Sequence, residues 1–158
     1  MVARAYTHWG DERLGLLISD QDEAAREALK RCLGPNRWEF HEAGSGREAM
    51  RIIRQRVVHV LVSAVELPDT TGFDVAHGLR RLDHWVPFIL TVSELSKELL
   101  LRALLARAFT VIQKPIDECV FRSTVDHLVG RWYEGDAPGG WERDRRSWRW
   151  PAREEELL

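Results

Sequence analysis

Buried apolar runs alternate with helix-like stripes along most of the chain, and this alternation limits the fold more than any other feature. Runs such as LGLLI (14–18) and VPFILTV (86–92) are almost wholly apolar, which is typical of strands that are buried on both faces. Between such runs, apolar residues recur at helical spacing, for example Ala25, Leu29 and Leu33. Strands that alternate with helices predict a parallel sheet covered by helices on both faces.

The pattern contains five such strand–helix units. Trp38 and Phe40 alternate with Glu39 and His41, which indicates a half-exposed strand at the edge of the sheet. An edge position for the second strand favours the flavodoxin-like strand order 2-1-3-4-5. We therefore predict an α/β fold, a doubly wound flavodoxin-like (βα)5 parallel sheet. The predicted strands are 14–18, 37–43, 57–62, 86–92 and 109–113, and the predicted helices are 22–34, one opening at Ser45, 71–82, 96–108 and 117–132.

The domain organisation follows from where this pattern begins and ends. Residues 1–13 form an N-terminal extension, residues 14–132 form one α/β domain, and residues 133–158 form a short tail. The tail is rich in Trp and Arg and lacks a helical or strand period over most of its length, and its Gly and Pro residues mark a linker-like break. It is too short to be a second domain.

Composition and charge exclude several classes of protein. With 44% hydrophobic and 30% charged residues, the chain has the composition of a soluble globular protein. A formal charge of -2 gives no reason to expect nucleic acid or an anionic membrane as a partner. Cys32 and Cys119 are far apart and form no metal-binding spacing. No apolar run reaches the length of a membrane span, and the N-terminus has no signal-like apolar region, so we expect a cytoplasmic protein.

Three segments then resemble response-regulator receiver domains. LLISDQDEAAREAL looks like the family's first strand, acidic turn and first helix. VLVSAVELPDTTG is similar to its third strand and the loop that follows, and VIQKP is similar to its fifth-strand Lys-Pro. The separations from Asp20 to Ala64 and from Ala64 to Lys114 are near those usual in the family. The resemblance covers residues 14–132 and implies a role in two-component signalling.

The resemblance also implies a phosphorylation site, and this chain departs from it. In the family, an Asp at the end of the third strand accepts a phosphoryl group, two acidic residues after the first strand help to hold Mg²⁺, and a Lys after the fifth strand contacts the phosphoryl oxygens. Here Ala64 falls at the acceptor position, Asp20 matches the first acidic residue, the neutral Gln21 matches the second, and Lys114 is retained. Asp22, one residue further on, is expected to cap the first helix.

Two positions of the family's conformational switch differ as well. The Ser or Thr at the end of the fourth strand falls at Val92, and the aromatic residue three positions before the Lys is Val111. Thr91 or Ser93 would supply the hydroxyl of the fourth strand in place of Val92 only after a one-residue slip of the alignment, and such a slip turns a side chain to the other face. Asp69 is expected to be a turn residue or a helix lead-in, not a displaced acceptor. These concordant differences predict that phosphorylation-driven switching is lost and that the fold is kept.

The remaining pocket residues allow two interpretations. In the first, Lys114 and Asp20 form a partly solvated ion pair worth about 1 kcal/mol or less. Alternatively, Glu66 lies on the same side as Ala64 and would supply a permanent negative charge where the phosphoryl group would sit. We expect no cofactor and no metal, since Asp20 and Glu66 alone would make only a weak Mg²⁺ site.

A binding surface is expected on the fourth helix and the tail. The leucines of the fourth helix spread over a wider arc than a surface helix needs. Either the tail, with Trp141, Trp148 and Trp150, covers them, or they form a homodimer or partner interface on the side of helix 4, strand 5 and helix 5, a side that the family commonly uses. The predicted interaction surface comprises Leu100, Leu101, Leu104, Leu105 and these three tryptophans.

Three functions are compatible with these observations. We expect first a non-enzymatic, receiver-like signalling module that binds protein partners without being phosphorylated. The second interpretation is a functional phosphoacceptor receiver whose acceptor is displaced. The third is a flavodoxin-like ligand-binding protein or enzyme, which the absence of a glycine-rich phosphate loop after the first strand disfavours.

Overall fold

The computed structural model describes residues 13–82 and 85–133. Five strands alternate with five helices, and each helix is shorter than or close to its predicted length. The strands are β1 (Leu14–Ser19), β2 (Trp38–Ala43), β3 (Val60–Ala64), β4 (Phe88–Val92) and β5 (Thr110–Gln113). The helices are α1 (Glu23–Leu33), α2 (Gly46–Gln55), α3 (Gly72–Arg81), α4 (Lys97–Leu105) and α5 (Glu118–Tyr133).

All strand pairs are parallel, and the order across the sheet is β2-β1-β3-β4-β5. This confirms the predicted doubly wound fold and strand order. Because β1, β3 and β4 have neighbours on both sides and helices on both faces, they are buried along their whole length. The edge strand β2 keeps Glu39 exposed and Trp38 buried, as its alternating sequence predicts.

Two hydrophobic cores lie on opposite faces of the sheet. Helices α1 and α5 cover one face, where Leu29, Phe121 and Leu128 pack on Ile18 and Val62. Helices α2, α3 and α4 cover the other face with a second buried cluster. Because the strands run parallel, the carboxyl ends of β1, β3, β4 and β5 bring residues from four strands to one edge of the sheet.

Helix starts follow the sequence closely because short polar side chains cap them. Asp22 accepts a hydrogen bond from the N–H of Ala24 at the start of α1, which confirms the predicted cap. Ser45 is followed three residues later by Glu48, the spacing of a capping box, and it accepts from the N–H of Glu48 at 3.2 Å. The carboxylate of Glu48 completes the box one residue early, because it accepts from the N–H of Gly44 instead of that of Ser45.

Three boundaries differ from the prediction. Strand β3 begins at Val60 instead of residue 57, and the side chain of Val57 is 66% exposed. Leu82, the last residue of the predicted third helix, is the C-cap of α3 and is 39% exposed. Helix α4 ends at Leu105, before the predicted residue 108, because Arg107 turns the backbone with a φ of 61°. Apolar character alone did not identify these ends, since the pairing register and the caps decide them.

Gly15 permits a close approach of β1 to the segment before β3. Its N–H donates to Nδ1 of His59 at 2.8 Å, and its carbonyl accepts from the N–H of His59 at 2.7 Å. A Cβ atom at position 15 would lie 2.1 Å from the carbonyl oxygen of Val57. His59, which lies directly before β3, is therefore a hydrogen-bonded core histidine, and only glycine fits opposite it.

We expect Gly15→Ala to destabilise the domain by about 1–3 kcal/mol, the usual range for overpacking a core. The physical reason is that backbone atoms, which cannot rotate away as a side chain can, obstruct the new methyl group. Urea unfolding measures the change as a lower midpoint at an unchanged slope. Gly44→Ala is the matched control, because its new Cβ would meet its nearest neighbour at an ordinary 3.5 Å. Equal midpoints for the two variants would contradict the prediction.

Candidate functional site

A cleft of about 550 Å³ lies at the carboxyl ends of β1, β3, β4 and β5. This is the edge at which parallel α/β sheets bind their ligands. Its lining includes Ala64, at the position of the family's acceptor, and the five residues predicted to form a degenerate pocket around it, namely Asp20, Gln21, Glu66, Val92 and Lys114. The tryptophans predicted in the interaction surface, Trp141, Trp148 and Trp150, lie outside the described residues.

The strongest polar contact in the cleft is the ion pair between Lys114 and Asp20. Their Nζ and Oδ2 atoms are 2.6 Å apart, and the side chains are 29% and 7% exposed. Residues after the first and fifth strands are thus joined across β3 and β4, which lie between them. The pair is less solvated than the sequence indicates, because Asp20 is almost completely buried.

Asp20 is held by four separate hydrogen bonds. Its Oδ1 atom accepts from the N–H of Asp22 at 2.9 Å, and Oδ2 accepts from Lys114. Its own N–H donates to the carbonyl of Ala43, and its carbonyl accepts from the guanidinium of Arg26. Both carboxylate oxygens therefore have protein partners, so the side chain cannot turn without breaking one of these bonds.

Arg26 is a positioning residue that the sequence analysis missed. Its Nη1 atom donates to the carbonyl of Asp20, and its Nε atom donates to Glu42 at 3.3 Å. Lys30 joins the same group through a contact of 3.0 Å with Glu42, and this contact raises the pKa of Lys30. An arginine on a helix carries no sequence signal for this role, because its partner on β2 comes close only in the folded sheet.

Ala64 ends β3 inside the cleft and is 5% exposed. In the register of the sheet it pairs with Thr91, so the two side chains lie on one face. Val92 also borders the cleft but belongs to the hydrophobic core of the opposite face. Ser63, the preceding residue, is absent from the lining of the cleft, and its hydroxyl donates to the carbonyl of Ala64 at 2.9 Å.

Glu66 lines the same cleft, but it does not pair with Lys114. Its side chain is exposed, and its backbone forms an isolated antiparallel bridge with Thr71. Among the residues that the structure describes, the ion pair of Lys114 is with Asp20. Glu66 therefore adds a solvated negative charge at the rim of the cleft.

Asp69 ties the loop after β3 to the start of α2. Its Oδ1 and Oδ2 atoms accept from the N–H groups of Gly46 and Arg47, at 2.8 and 2.9 Å. These backbone hydrogen bonds lower the pKa of Asp69. The prediction of a local turn residue or helix lead-in was incomplete, since the carboxylate satisfies the free N–H groups of a different helix. Asp69 is absent from the lining of the cleft, which leaves it poorly placed as a displaced acceptor.

A magnesium ion would find few ligands in this cleft. Mg²⁺ takes oxygen ligands in octahedral geometry and usually binds through one or two carboxylates. The side chain of Ala64 has no oxygen, Gln21 is neutral, and the carboxylate of Asp20 already accepts from Lys114 and Asp22. Within residues 13–82 and 85–133, no three His, Cys, Asp or Glu side chains are grouped as a metal site needs. The residues present do not fit the ion.

A family model described as "Response regulator receiver domain" matches residues 16–126. The chain belongs to this family. The receiver domain is 30% identical over 109 residues to the probable transcriptional regulatory protein TcrX of Mycobacterium tuberculosis, which covers 68% of this chain and 47% of TcrX. It is 27% identical over 124 residues to the luminescence regulatory protein LuxO of Vibrio campbellii, covering 75% of this chain and 27% of LuxO. The chain thus spans about half, or less, of the length of these relatives.

Solved receiver structures share the fold of this receiver domain. A CheY-like receiver domain protein from Methanospirillum hungatei superposes with a TM-score of 0.70 at 21% identity, over 76% of this chain and 96% of the other. The signal receiver domain of a LuxO repressor protein from Vibrio parahaemolyticus gives a TM-score of 0.71 at 19% identity, over 76% and 92%. At these identities the likeness supports the fold alone.

Of the described helices, none is both long enough and apolar enough to cross a membrane.

The contacts of Asp69 predict a pH-dependent contribution to stability. Because its pKa is lower in the folded than in the unfolded chain, the stabilisation is present above the ordinary aspartate value of about 3.9 and is lost as the pH falls through the folded value. We expect Asp69→Asn to lower the urea midpoint at pH 7, and this difference to shrink below pH 4. Asp126→Asn, on the exposed side of α5, is the control. A difference that is independent of pH would contradict the lowered pKa.

Proposed function

We propose that this receiver domain acts in two-component-type signalling by binding protein partners without being phosphorylated. The observation that supports this most directly is the methyl group of Ala64 at the end of β3, where the family places its acceptor carboxylate. A methyl group cannot accept a phosphoryl group, and no catalytic activity of its own is proposed for the domain.

The neighbours of Ala64 support the same proposal. Phosphoryl transfer to a carboxylate requires cationic charge to offset the repulsion between anions. Here Gln21 removes one of the family's acidic residues, and the ammonium group of Lys114 is already paired with Asp20. The domain is therefore proposed to work without Mg²⁺ or another cofactor.

A functional receiver with a displaced acceptor is the alternative, and the contacts of the nearby carboxylates disfavour it. Asp20 and Asp69 each accept two hydrogen bonds through their carboxylate oxygens, and Asp22 caps α1. An attacking carboxylate oxygen has to be free to approach phosphorus in line with the leaving group. Each of these residues would first have to give up a structural contact.

Intact mass spectrometry tests the proposal directly. After incubation with Mg²⁺ and acetyl phosphate, we expect the unchanged chain to gain no phosphoryl group. A variant that carries both Ala64→Asp and Gln21→Asp is the matched control, because it restores the carboxylates that the family uses, and we expect it to gain one. A stable gain of one phosphoryl group by the unchanged chain would contradict the proposal and favour the displaced acceptor.

A finer proposal concerns Glu66 as a permanent negative charge at the cleft. Its carboxylate is exposed at the rim and requires no modification to be present. Such a charge would bias the loops around the cleft toward one conformation, as phosphorylation does in a switching receiver.

Glu66→Gln tests this role without knowledge of the partner. If the charge biases the conformation, the substitution changes amide chemical shifts not only beside residue 66 but also along β5 and α4, since these elements would respond to the lost charge. Two-dimensional NMR of the full chain measures these shifts, and Glu39→Gln on β2 controls for a mere change in net charge. Chemical-shift changes that are confined to the loop around Glu66 would contradict this role of the Glu66 charge.

The contact surface is proposed to be the apolar face of α4, which we define as Leu100, Leu101, Leu104 and Leu105. All four side chains are exposed within the described structure. Exposed apolar patches of this kind mark interaction sites. A second copy of the chain, packed through α4, β5 and α5, is one candidate occupant, and another protein of the signalling pathway is a second. Nucleic acid and membranes are not proposed as partners.

A further inference from the structure

The apolar face of α4 is unusual for a surface helix. Of the nine residues in the helix, only Ala103 is buried, and Leu104 is 72% exposed. Water-exposed apolar area is unfavourable by about 25 cal/mol per Å² relative to burial. A surface with four neighbouring leucines therefore favours any apolar segment that can reach it.

One such segment belongs to the same chain. Residues 134–158 follow directly from Tyr133, the last residue of α5. The end of α5 is fixed to the domain, because the hydroxyl of Tyr133 donates to the carbonyl of His59 and the two rings meet edge to face. A chain of this length spans at most about 80–90 Å when it is extended. A domain of this size has a radius of gyration of about 13–14 Å, which corresponds to a sphere about 35 Å across, so the segment is long enough to reach α4.

The chemistry of the segment suits the apolar face of α4. It contains Trp141, Trp148 and Trp150, and tryptophan buries more apolar area than other side chains while losing little conformational entropy. Three consecutive glutamates, 154–156, follow the tryptophans. Helix α4 carries Lys97 and Arg102 against a single acidic residue, Glu98, so its charge is opposite to that of the glutamates.

We propose that residues 134–158 dock on the apolar face of α4 of the same chain. The tryptophans cover the leucines, and the glutamates lie toward the basic residues of the helix. Because the segment is covalently attached, its effective concentration at α4 is of the order of millimolar. A partner protein must then displace it, so the segment regulates access to the contact surface. This regulation rests on the proposed function, whereas the docking itself does not.

Photo-crosslinking in the full chain tests the docking. Leu104 is replaced by p-benzoylphenylalanine, and the crosslinked peptides are identified by mass spectrometry in an equal mixture of ¹⁴N- and ¹⁵N-labelled protein. We expect crosslinks to residues 134–158 within one isotope label. The same probe at Val57, which is also exposed but lies before β3, is the control and should give none of these products.

Every other product at position 104 overturns the proposal. Crosslinks between the two labels would show that a second copy occupies α4, and the absence of crosslinks to 134–158 would show that the segment does not dock. Neither result affects the phosphodonor experiment, which concerns Ala64 alone. The two proposals therefore fail separately.

A second measurement uses tryptophan fluorescence and does not need the probe. Leu104→Glu places a charge in the proposed contact, and we expect it to lower the docking equilibrium by about tenfold or more, the equivalent of losing one buried leucine. Acrylamide quenching of the full chain should rise accordingly. Leu101→Glu should act in the same way, and Val57→Glu should leave the quenching unchanged. Equal quenching in all of these variants would also overturn the proposal.

Discussion

The ion pair between Asp20 and Lys114 connects the first and fifth strands at the carboxyl edge of the sheet. Asp20 is nearly buried, and its two carboxylate oxygens accept from Lys114 and from the N–H of Asp22. A buried carboxylate needs such partners, because an unpaired charge in a protein interior is strongly unfavourable. The β1–α1 loop and the loop after β5 are consequently held in a fixed relation to one another, and this relation shapes the cleft between them.

In a phosphorylated receiver, the residues at the positions of Asp20 and Lys114 have other roles. The acidic residue would help to hold a metal ion, and the lysine would contact the phosphoryl oxygens. With alanine at position 64 and glutamine at position 21, side chains that the family uses to accept the phosphoryl group and to hold the metal ion are missing. In this structure the two charges pair with each other, and the pair joins the loops after β1 and β5 at the carboxyl edge of the sheet.

The polar side chains of the loop after β3 are also held by hydrogen bonds within the protein. Asp69 accepts from the N–H groups at the start of α2, and Thr70 and Thr71 donate to Asp74 at 2.6 and 3.1 Å. Although burial opposes it, these hydrogen bonds hold the pKa of Asp74 below its usual range. Polar residues of this loop therefore stabilise helix starts. Four of the exposed large apolar side chains of the described residues lie elsewhere, together on α4.

Periodicity and capping residues in the sequence determined the element order, the parallel sheet, the edge position of β2 and the helix starts at Asp22 and Ser45, because these depend on neighbours within a few residues. The residues of the degenerate pocket were also predictable, since the carboxyl ends of parallel strands meet at one edge. Only the tertiary structure decided that β3 begins at Val60, that Arg26 and Asp69 have positioning roles, and that Lys114 pairs with Asp20 and not with Glu66. The physical reason is that these features depend on strand register and on partners distant in the chain, whose separation in space no local pattern records.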